Sequence, residues 1–150
     1  MFNFVVRHLR WFARVPGLPQ FFDGMLLAVT CVFRRSRLAA METLEAEMLR
    51  LPGIRLKVHR LGGIEFVAQA GRELGHLHGH GLLDVSVGRH AADLLIATDQ
   101  ARPHHVFARS RWISFQIESN ADVPFALELL RMAETRLKKQ KVRAEWHAKK

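Results

Sequence analysis

The sequence predicts a single α+β domain, an antiparallel sheet of about five strands with two main helices packed on one face, preceded by an N-terminal apolar and basic helical leader. The chain has 150 residues, which is an ordinary length for one domain. Hydrophobic residues make up 49% of it, too many for a disordered chain. Short segments of alternating polarity lie between two segments with helical periodicity, which is typical of this fold class. We divide the chain into a leader (residues 1–35), the α+β domain (residues 36–138) and a basic tail (residues 139–150).

The leader combines apolar residues with arginines. Residues 1–15 mix Phe, Val, Leu and Trp with three arginines, as an amphipathic basic helix does, and the prolines and glycine of residues 16–19 end that helix. A second apolar run, Phe21 to Phe33, is interrupted by Asp23 and is shorter than the about 20 apolar residues that span a bilayer. Two interpretations stay open: two short helices that pack on the domain, or a monotopic anchor to an anionic membrane surface.

Residues 36–138 alternate between helical and strand patterns. Ser36 is expected to cap a helix over residues 36–50, which Pro52-Gly53 ends. Ser119 and Asp122 resemble a capping box that opens the last helix, over residues 121–138, and the basic residues beyond it predict fraying. Strands are predicted at residues 54–58, 64–68, 73–78, 82–87 and 111–117, and a short helix at residues 89–98. Alternation predicts a buried set on the sheet: Ile54, Leu56, Val58, Ile64, Phe66, Ile113, Phe115 and Ile117.

The net charge of +9 is concentrated at the two ends of the chain. Residues 1–37 carry six basic residues and one acidic residue, and residues 131–150 carry eight and two, whereas residues 38–130 carry nine and eleven. A nucleic-acid-binding domain usually collects its basic residues on a folded reading face, so nucleic acid is an unexpected partner. The single cysteine excludes an internal disulfide framework and indicates a reducing compartment. We therefore expect a cytoplasmic protein, peripheral at the inner membrane face if the leader is an anchor.

Histidine is the residue type that points to a site, because six of the nine histidines lie between residues 76 and 105. His76 and His78 share one face of a predicted strand with Cα atoms about 6.6 Å apart, so both rings can converge on one ion. One ring of the adjacent pair His104 and His105 is expected to point inward. Asp84 is the carboxylate expected to orient an imidazole by accepting its ring N–H. In a regular strand, Glu73 and Leu77 would face the other side.

Glycines lie next to the histidines of this segment and affect the backbone conformation of the strand. Gly75, Gly79 and Gly81 leave room for a close backbone approach or for a bulge, which could re-aim His80.

These residues define a His-lined pocket with three open interpretations. It holds a divalent metal ion through His76, His78 and His104, or it binds a small polar molecule without a permanent metal, or its histidines are structural in a membrane-adjacent interaction module. No phosphate loop and no Gly-x-Ser-x-Gly elbow occurs in the sequence. The ligand-binding candidates are Glu73, His76, His78, Asp84, His104, His105, Trp112 and Ser114.

Several short blocks follow one another in the middle of the chain. They are LPGI at 51–54, HRLGGIEF at 59–66, ELGHLHG at 73–79 with Leu83-Asp84, PHHV at 103–106, SRWISF at 110–115 and Asp122 through Arg131. In this order they resemble the luciferase-like domain family of small bacterial and fungal proteins, over about residues 38–133. The resemblance implies a bacterial protein of uncharacterised activity, and we treat the family name as a label because a fold does not determine a reaction. The chain departs from the family at Arg111, where a glycine is usual, and at Met132-Ala133-Glu134, where Leu-Ser-Tyr is frequent.

Overall fold

A computed structural model describes residues 17–148 except residues 70 and 109, so the predicted helix over residues 1–15 lies outside the described residues. The described residues form an α+β domain, which confirms the predicted fold class. Its helices are α1 (Leu18–Phe33), α2 (Arg35–Leu49), α3 (Arg89–Ala97) and α4 (Val123–Ala148), with a 3₁₀ turn at Asn120–Asp122. Its strands are β1 (Arg55–Val58), β2 (Ile64–Val67), β3 (Glu73–Leu77), β4 (Leu82–Val85), β5 (Arg102–Pro103) and β6 (Ile113–Gln116).

The six strands form one antiparallel sheet in the order β1-β2-β3-β4-β6-β5. The five predicted strands are present, and the sixth, β5, has two residues and is too short to produce a sequence pattern. The register pairs His76 with Asp84, and Asp84 with Ser114. Because directly paired residues share a face of the sheet, these three polar side chains form a row across its middle.

The opposite face of the sheet packs against α2 and α4 and carries the hydrophobic core. Phe66, Leu83 and Ile113 are completely buried there, and the helices contribute Leu44 and Leu129. Of the eight side chains predicted to be buried, four are buried and three are half-buried; the remaining one, Val58, is 77% exposed. That prediction is wrong at Val58 because β1 is the edge strand of the sheet. Phe115 is half-buried and packs edge-to-face on Phe125, with ring centroids 5.1 Å apart.

Two predicted helix boundaries differ from the structure. Ser36 does not cap α2, because α1 ends at Phe33 and α2 begins at Arg35, which puts Ser36 inside the first turn, where its hydroxyl donates to the Glu118 carbonyl. The capping box at Ser119 and Asp122 is confirmed. The predicted fraying after residue 138 is wrong, since α4 continues to Ala148. No glycine or proline follows residue 138, and Lys138 pairs with Glu134 one turn earlier.

Helix α1 packs closely against the turn between β3 and β4. The Gly79 amide donates to Oδ1 of Asp23 at 3.0 Å. A Cβ atom on Gly79 would lie 2.6 Å from the Asp23 carbonyl oxygen and 2.8 Å from the Leu27 backbone nitrogen. Glycine at this position therefore allows the helix backbone to approach the turn. None of the described helices is both long and apolar enough to cross a membrane.

We expect Gly79→Ala to lower the free energy of unfolding by about 1–3 kcal/mol, because the added methyl group meets backbone atoms that cannot rotate away. The matched control is Gly24→Ala in α1, where an added Cβ has no atom within 4 Å. That change is expected to be neutral or to stabilise by up to about 1 kcal/mol. Urea unfolding of both variants measures the difference, and equal midpoints would contradict the close approach.

Candidate metal centre

Asp84, on β4, lies at the centre of the histidine cluster and is completely buried. Its Oδ1 accepts a hydrogen bond from the Ser114 hydroxyl on β6. Its Oδ2 is buried and has no hydrogen-bond partner among the described residues. Four imidazole nitrogens surround that oxygen at 3.4–3.6 Å: Nε2 of His76, Nε2 of His78, Nε2 of His104 and Nδ1 of His105. The structure thus brings together the carboxylate and all four of the histidines that the sequence singled out.

His76 and His78 project from the β3 segment toward Asp84, and a second carboxylate fixes each ring. Nδ1 of His76 lies 2.6 Å from Oε1 of Glu73, and Nδ1 of His78 lies 3.2 Å from Oδ1 of Asp23. In a neutral imidazole whose Nδ1 donates its proton to a carboxylate, the lone pair lies on Nε2. Carboxylate–histidine pairs of this kind commonly support histidines that bind a metal.

Glu73 reaches the histidine face because β3 is irregular there. Phe66 pairs with Gly75, but the next residue of β2, Val67, pairs with Glu73, so Leu74 is an extra residue. A bulge of this kind changes the alternation of side chains. The expectation that Glu73 faces away from His76 is therefore wrong, whereas Leu77 is buried in the core on the other face, as expected.

Both histidines of the adjacent pair approach Asp84, and the prediction that only one points inward is wrong. The rings of His104 and His105 stack, with centroids 4.5 Å apart and planes at 16°. Both residues follow β5 in a segment without strand structure, so strand alternation does not apply to them. Nδ1 of His104 accepts hydrogen bonds from the backbone amides of Val106 and Phe107, both at 3.1 Å. In the neutral ring, this arrangement places the proton of His104 on Nε2.

Aromatic rings enclose the cluster. His59, from the segment after β1, stacks on His76 with centroids 4.0 Å apart and nearly parallel planes. The half-buried Trp112 lies 5.7 Å from the ring of His76 and 6.0 Å from that of His104. These rings cover the polar atoms around Asp84 and strengthen electrostatic interactions by excluding water.

Neighbouring charges in the cluster change the protonation of its members. Burial opposes ionisation of Asp84, but the adjacent His76 and His78 hold its pKa well below the usual range. Burial also disfavours the charged form of His76, yet its contacts with Asp84 and Glu73 raise its pKa to about 9. Burial lowers the pKa of His105 to about 4. The metal-free cluster at neutral pH therefore has a charged His76 beside the Asp84 carboxylate and a neutral His105.

The metal-free protein is expected to be most stable near pH 6.5. Above that pH, the unfolded chain has released the His76 proton while the folded chain retains it, so stability falls as the pH rises through about 9. His59, His80 and His105, each with a pKa of about 4, stay neutral in the folded protein, so stability also falls as the pH decreases from 6.5 toward 4. We expect a loss of about 2–3 kcal/mol between pH 6.5 and 9. Urea unfolding in EDTA measures the profile, and stability that rises above pH 6.5 would contradict it.

Sequence reasoning missed two residues of this site, Asp23 and His59. Asp23 is the one acidic residue among residues 1–37, and a carboxylate inside an apolar run is a signal that a buried partner exists. His59 follows an edge strand, and no sequence pattern relates it to His76.

Among the described residues, three groups have ligand atoms close enough to share an ion: His59, Glu73 and His76; His76, His78 and Asp84; and Asp84, His104 and His105.

One family model matches the region of the chain that contains the site. Residues 71–133 match the family model described as Luciferase domain. These residues correspond to a luciferase-like domain. The matched residues of this luciferase-like domain include all eight ligand-binding candidates, whereas Asp23, His59 and the blocks at 51–54 and 59–66 lie outside them. We found no curated protein and no solved structure that matches the chain.

Proposed function

We propose that the luciferase-like domain binds a divalent transition-metal ion through Nε2 of His76, Nε2 of His78, Nδ1 of His105 and Oδ2 of Asp84. The observation that carries this proposal is the environment of Oδ2, which is buried, accepts no hydrogen bond from the residues that the structure describes, and has these three nitrogens at 3.4–3.5 Å. Such distances are long for hydrogen bonds. Ligands on a tetrahedral ion with bonds of about 2.0–2.1 Å lie about 3.3–3.4 Å from one another, which is close to the distances from Oδ2 to the three nitrogens. The ligand atoms of His76, His78 and Asp84 lie within 4.8 Å of one another, and so do those of Asp84, His104 and His105.

His105, and not His104, is the third imidazole ligand in this proposal. The amides of Val106 and Phe107 both donate to Nδ1 of His104, so its Nε2 carries a proton and has no lone pair for a metal. His104 instead directs an N–H toward Asp84 and helps to orient the carboxylate. This assignment replaces His104 in the triad that the sequence alone suggested.

The ligand set restricts the metal. Three imidazole nitrogens and one carboxylate oxygen suit Zn²⁺, Fe²⁺, Co²⁺, Ni²⁺ or Cu²⁺ better than Mg²⁺ or Ca²⁺, which prefer oxygen ligands. Glu73 and Asp23 contact the far nitrogens of His76 and His78, which fixes the orientation of both rings and makes them stronger ligands.

The test is metal analysis of the full chain after EDTA treatment and incubation with Zn²⁺, Co²⁺ or Mg²⁺. About one Zn²⁺ or Co²⁺ per chain is expected, with negligible Mg²⁺, and a melting temperature that rises with Zn²⁺ concentration because the ion binds the folded state. The double variant His76→Ala/His78→Ala is expected to lose the ion. His90→Ala is the matched control, since His90 is exposed on α3.

The two adjacent histidines provide a finer test. His105→Ala is expected to abolish Zn²⁺ binding at micromolar metal, whereas His104→Ala is expected to weaken it about 10–100-fold, as loss of a supporting residue does. A wild-type chain that binds no transition metal would overturn the proposal, as would a double variant at His76 and His78 that binds normally. Either result would favour histidines that serve a structural role.

A further inference from the structure

Helix α1 has its polar and apolar sides reversed relative to an ordinary surface helix. Its inward face carries Asp23 and Thr30, the two buried residues of the helix. Its outward face carries large apolar side chains, and Phe21 and Phe33 are each 74% exposed and Val32 is 65% exposed. An exposed apolar patch of this size is rare on a soluble monomer and indicates a binding surface.

Four of the exposed apolar side chains form one continuous stripe. Phe21, Met25, Val29 and Val32 follow one another at intervals of four, four and three residues, so they line one side of the helix. Asp23 and Thr30 are seven residues apart, which places them together on another side. The stripe therefore faces away from the body of the domain along the whole length of α1.

Exposed cationic residues lie at the C-terminal end of the stripe. Arg34 and Arg35 directly follow Phe33 and are exposed. Residues 1–37 contain four further arginines and a single acidic residue, Asp23, which is turned inward. An apolar stripe that ends in exposed arginines complements the surface of an anionic bilayer, where the arginines meet lipid phosphates and the apolar groups enter the acyl boundary.

We propose that the outward face of α1 docks the protein on an anionic membrane surface, with the helix lying in the plane of the interface. This orientation follows because the opposite side of α1 is fixed to the domain through Asp23, which contacts His78 and Gly79. The histidine cluster would then lie about one helix diameter, ~10 Å, from the lipid surface.

Sedimentation of the full chain with vesicles tests this inference. We expect binding to vesicles of phosphatidylcholine mixed with phosphatidylglycerol, weak binding to phosphatidylcholine alone, and release as salt is raised. The triple variant Phe21→Ser/Val32→Ser/Phe33→Ser is expected to bind at least about 10-fold more weakly. The matched control is Leu94→Ser/Val142→Ser, because these side chains are 58% and 66% exposed on other helices.

The other possible occupants of the stripe predict different results. If a second copy of the chain covers the stripe, the wild-type protein is a dimer that does not bind vesicles and the triple variant is a monomer. That result overturns the proposal. If attachment resides in residues 1–16, deleting them abolishes binding while the triple variant binds normally, which also overturns it. A wild-type protein that does not sediment with anionic vesicles overturns the proposal whether or not the variants fold. Equal sedimentation with and without Zn²⁺ is expected, so this result is independent of the metal proposal.

Discussion

Replacing Phe66 with alanine is expected to lower the free energy of unfolding by about 3–5 kcal/mol. Phe66 lies on β2, is completely buried and belongs to the core between the sheet and the two main helices. Truncation removes its contacts and leaves a cavity that the surrounding strands cannot fill. A loss of this size is a large part of the about 5–15 kcal/mol that stabilises an ordinary domain, so the variant is expected to unfold at much lower urea concentration.

The matched control is Val58→Ala on the neighbouring strand β1. Alternation in the sequence predicts that the side chains of Val58 and Phe66 are both buried, but Val58 is 77% exposed in the structure. Its truncation is expected to change stability by no more than about 0.5 kcal/mol. Similar losses in the two variants, measured by urea unfolding, would contradict the assignment of β1 to the edge of the sheet.

This pair of residues shows what alternation can predict about the fold. A period of two identifies a strand and groups its side chains by face, and that reasoning located the five main strands and the buried Ile113 and Ile117. Whether a face is covered depends on the position of the strand in the sheet, and strand order arises from tertiary contacts. The pattern at Val58 therefore could not reveal that β1 lies at the edge.

Helix boundaries were predictable where a local signal controls them. Ser119 and Asp122 satisfy backbone amides within three residues of one another, so the capping box is recognisable in the sequence. Ser36 has the same residue type as Ser119 but a different role, because it hydrogen-bonds to Glu118, 82 residues away. A long-range contact of this kind leaves no local pattern.

In the candidate site, too, local patterns were predictable from the sequence and long-range contacts were not. His76 and His78 could be placed on one face from the geometry of a regular strand, and both face Asp84. The bulge that brings Glu73 to the same face depends on pairing with β2, and the Asp23 carboxylate comes from a helix 55 residues earlier than His78. Sequence reasoning therefore identified the centre of the cluster but not the carboxylates that orient its rings.

Asp84→Asn is expected to lower the free energy of unfolding of the metal-free protein by about 3–5 kcal/mol at pH 7, because it removes one of the two carboxylates that balance the buried, charged His76. Asparagine has the shape of aspartate and can still accept the Ser114 hydrogen bond, so packing changes little. The charge disappears, and His76, whose pKa of about 9 depends on Asp84 and Glu73, keeps Glu73 as its carboxylate partner. The same substitution is expected to abolish Zn²⁺ binding, since a neutral amide is a poor ligand for this ion. Urea unfolding and metal analysis measure the two effects.

Asp93→Asn is the matched control for Asp84→Asn. Asp93 is exposed on α3 and lies 4.0 Å from Arg89 in a surface pair, so its loss is expected to change stability by at most about 1 kcal/mol.

Raising the pH separates the effect of charge from that of packing, because His76 loses its proton near pH 9 and then no longer needs a counter-ion. The destabilisation caused by Asp84→Asn in EDTA is therefore expected to shrink between pH 7 and pH 10. A constant penalty over this range would show that Asp84 acts through shape alone, and normal Zn²⁺ binding by the variant would remove Asp84 from the ligand set.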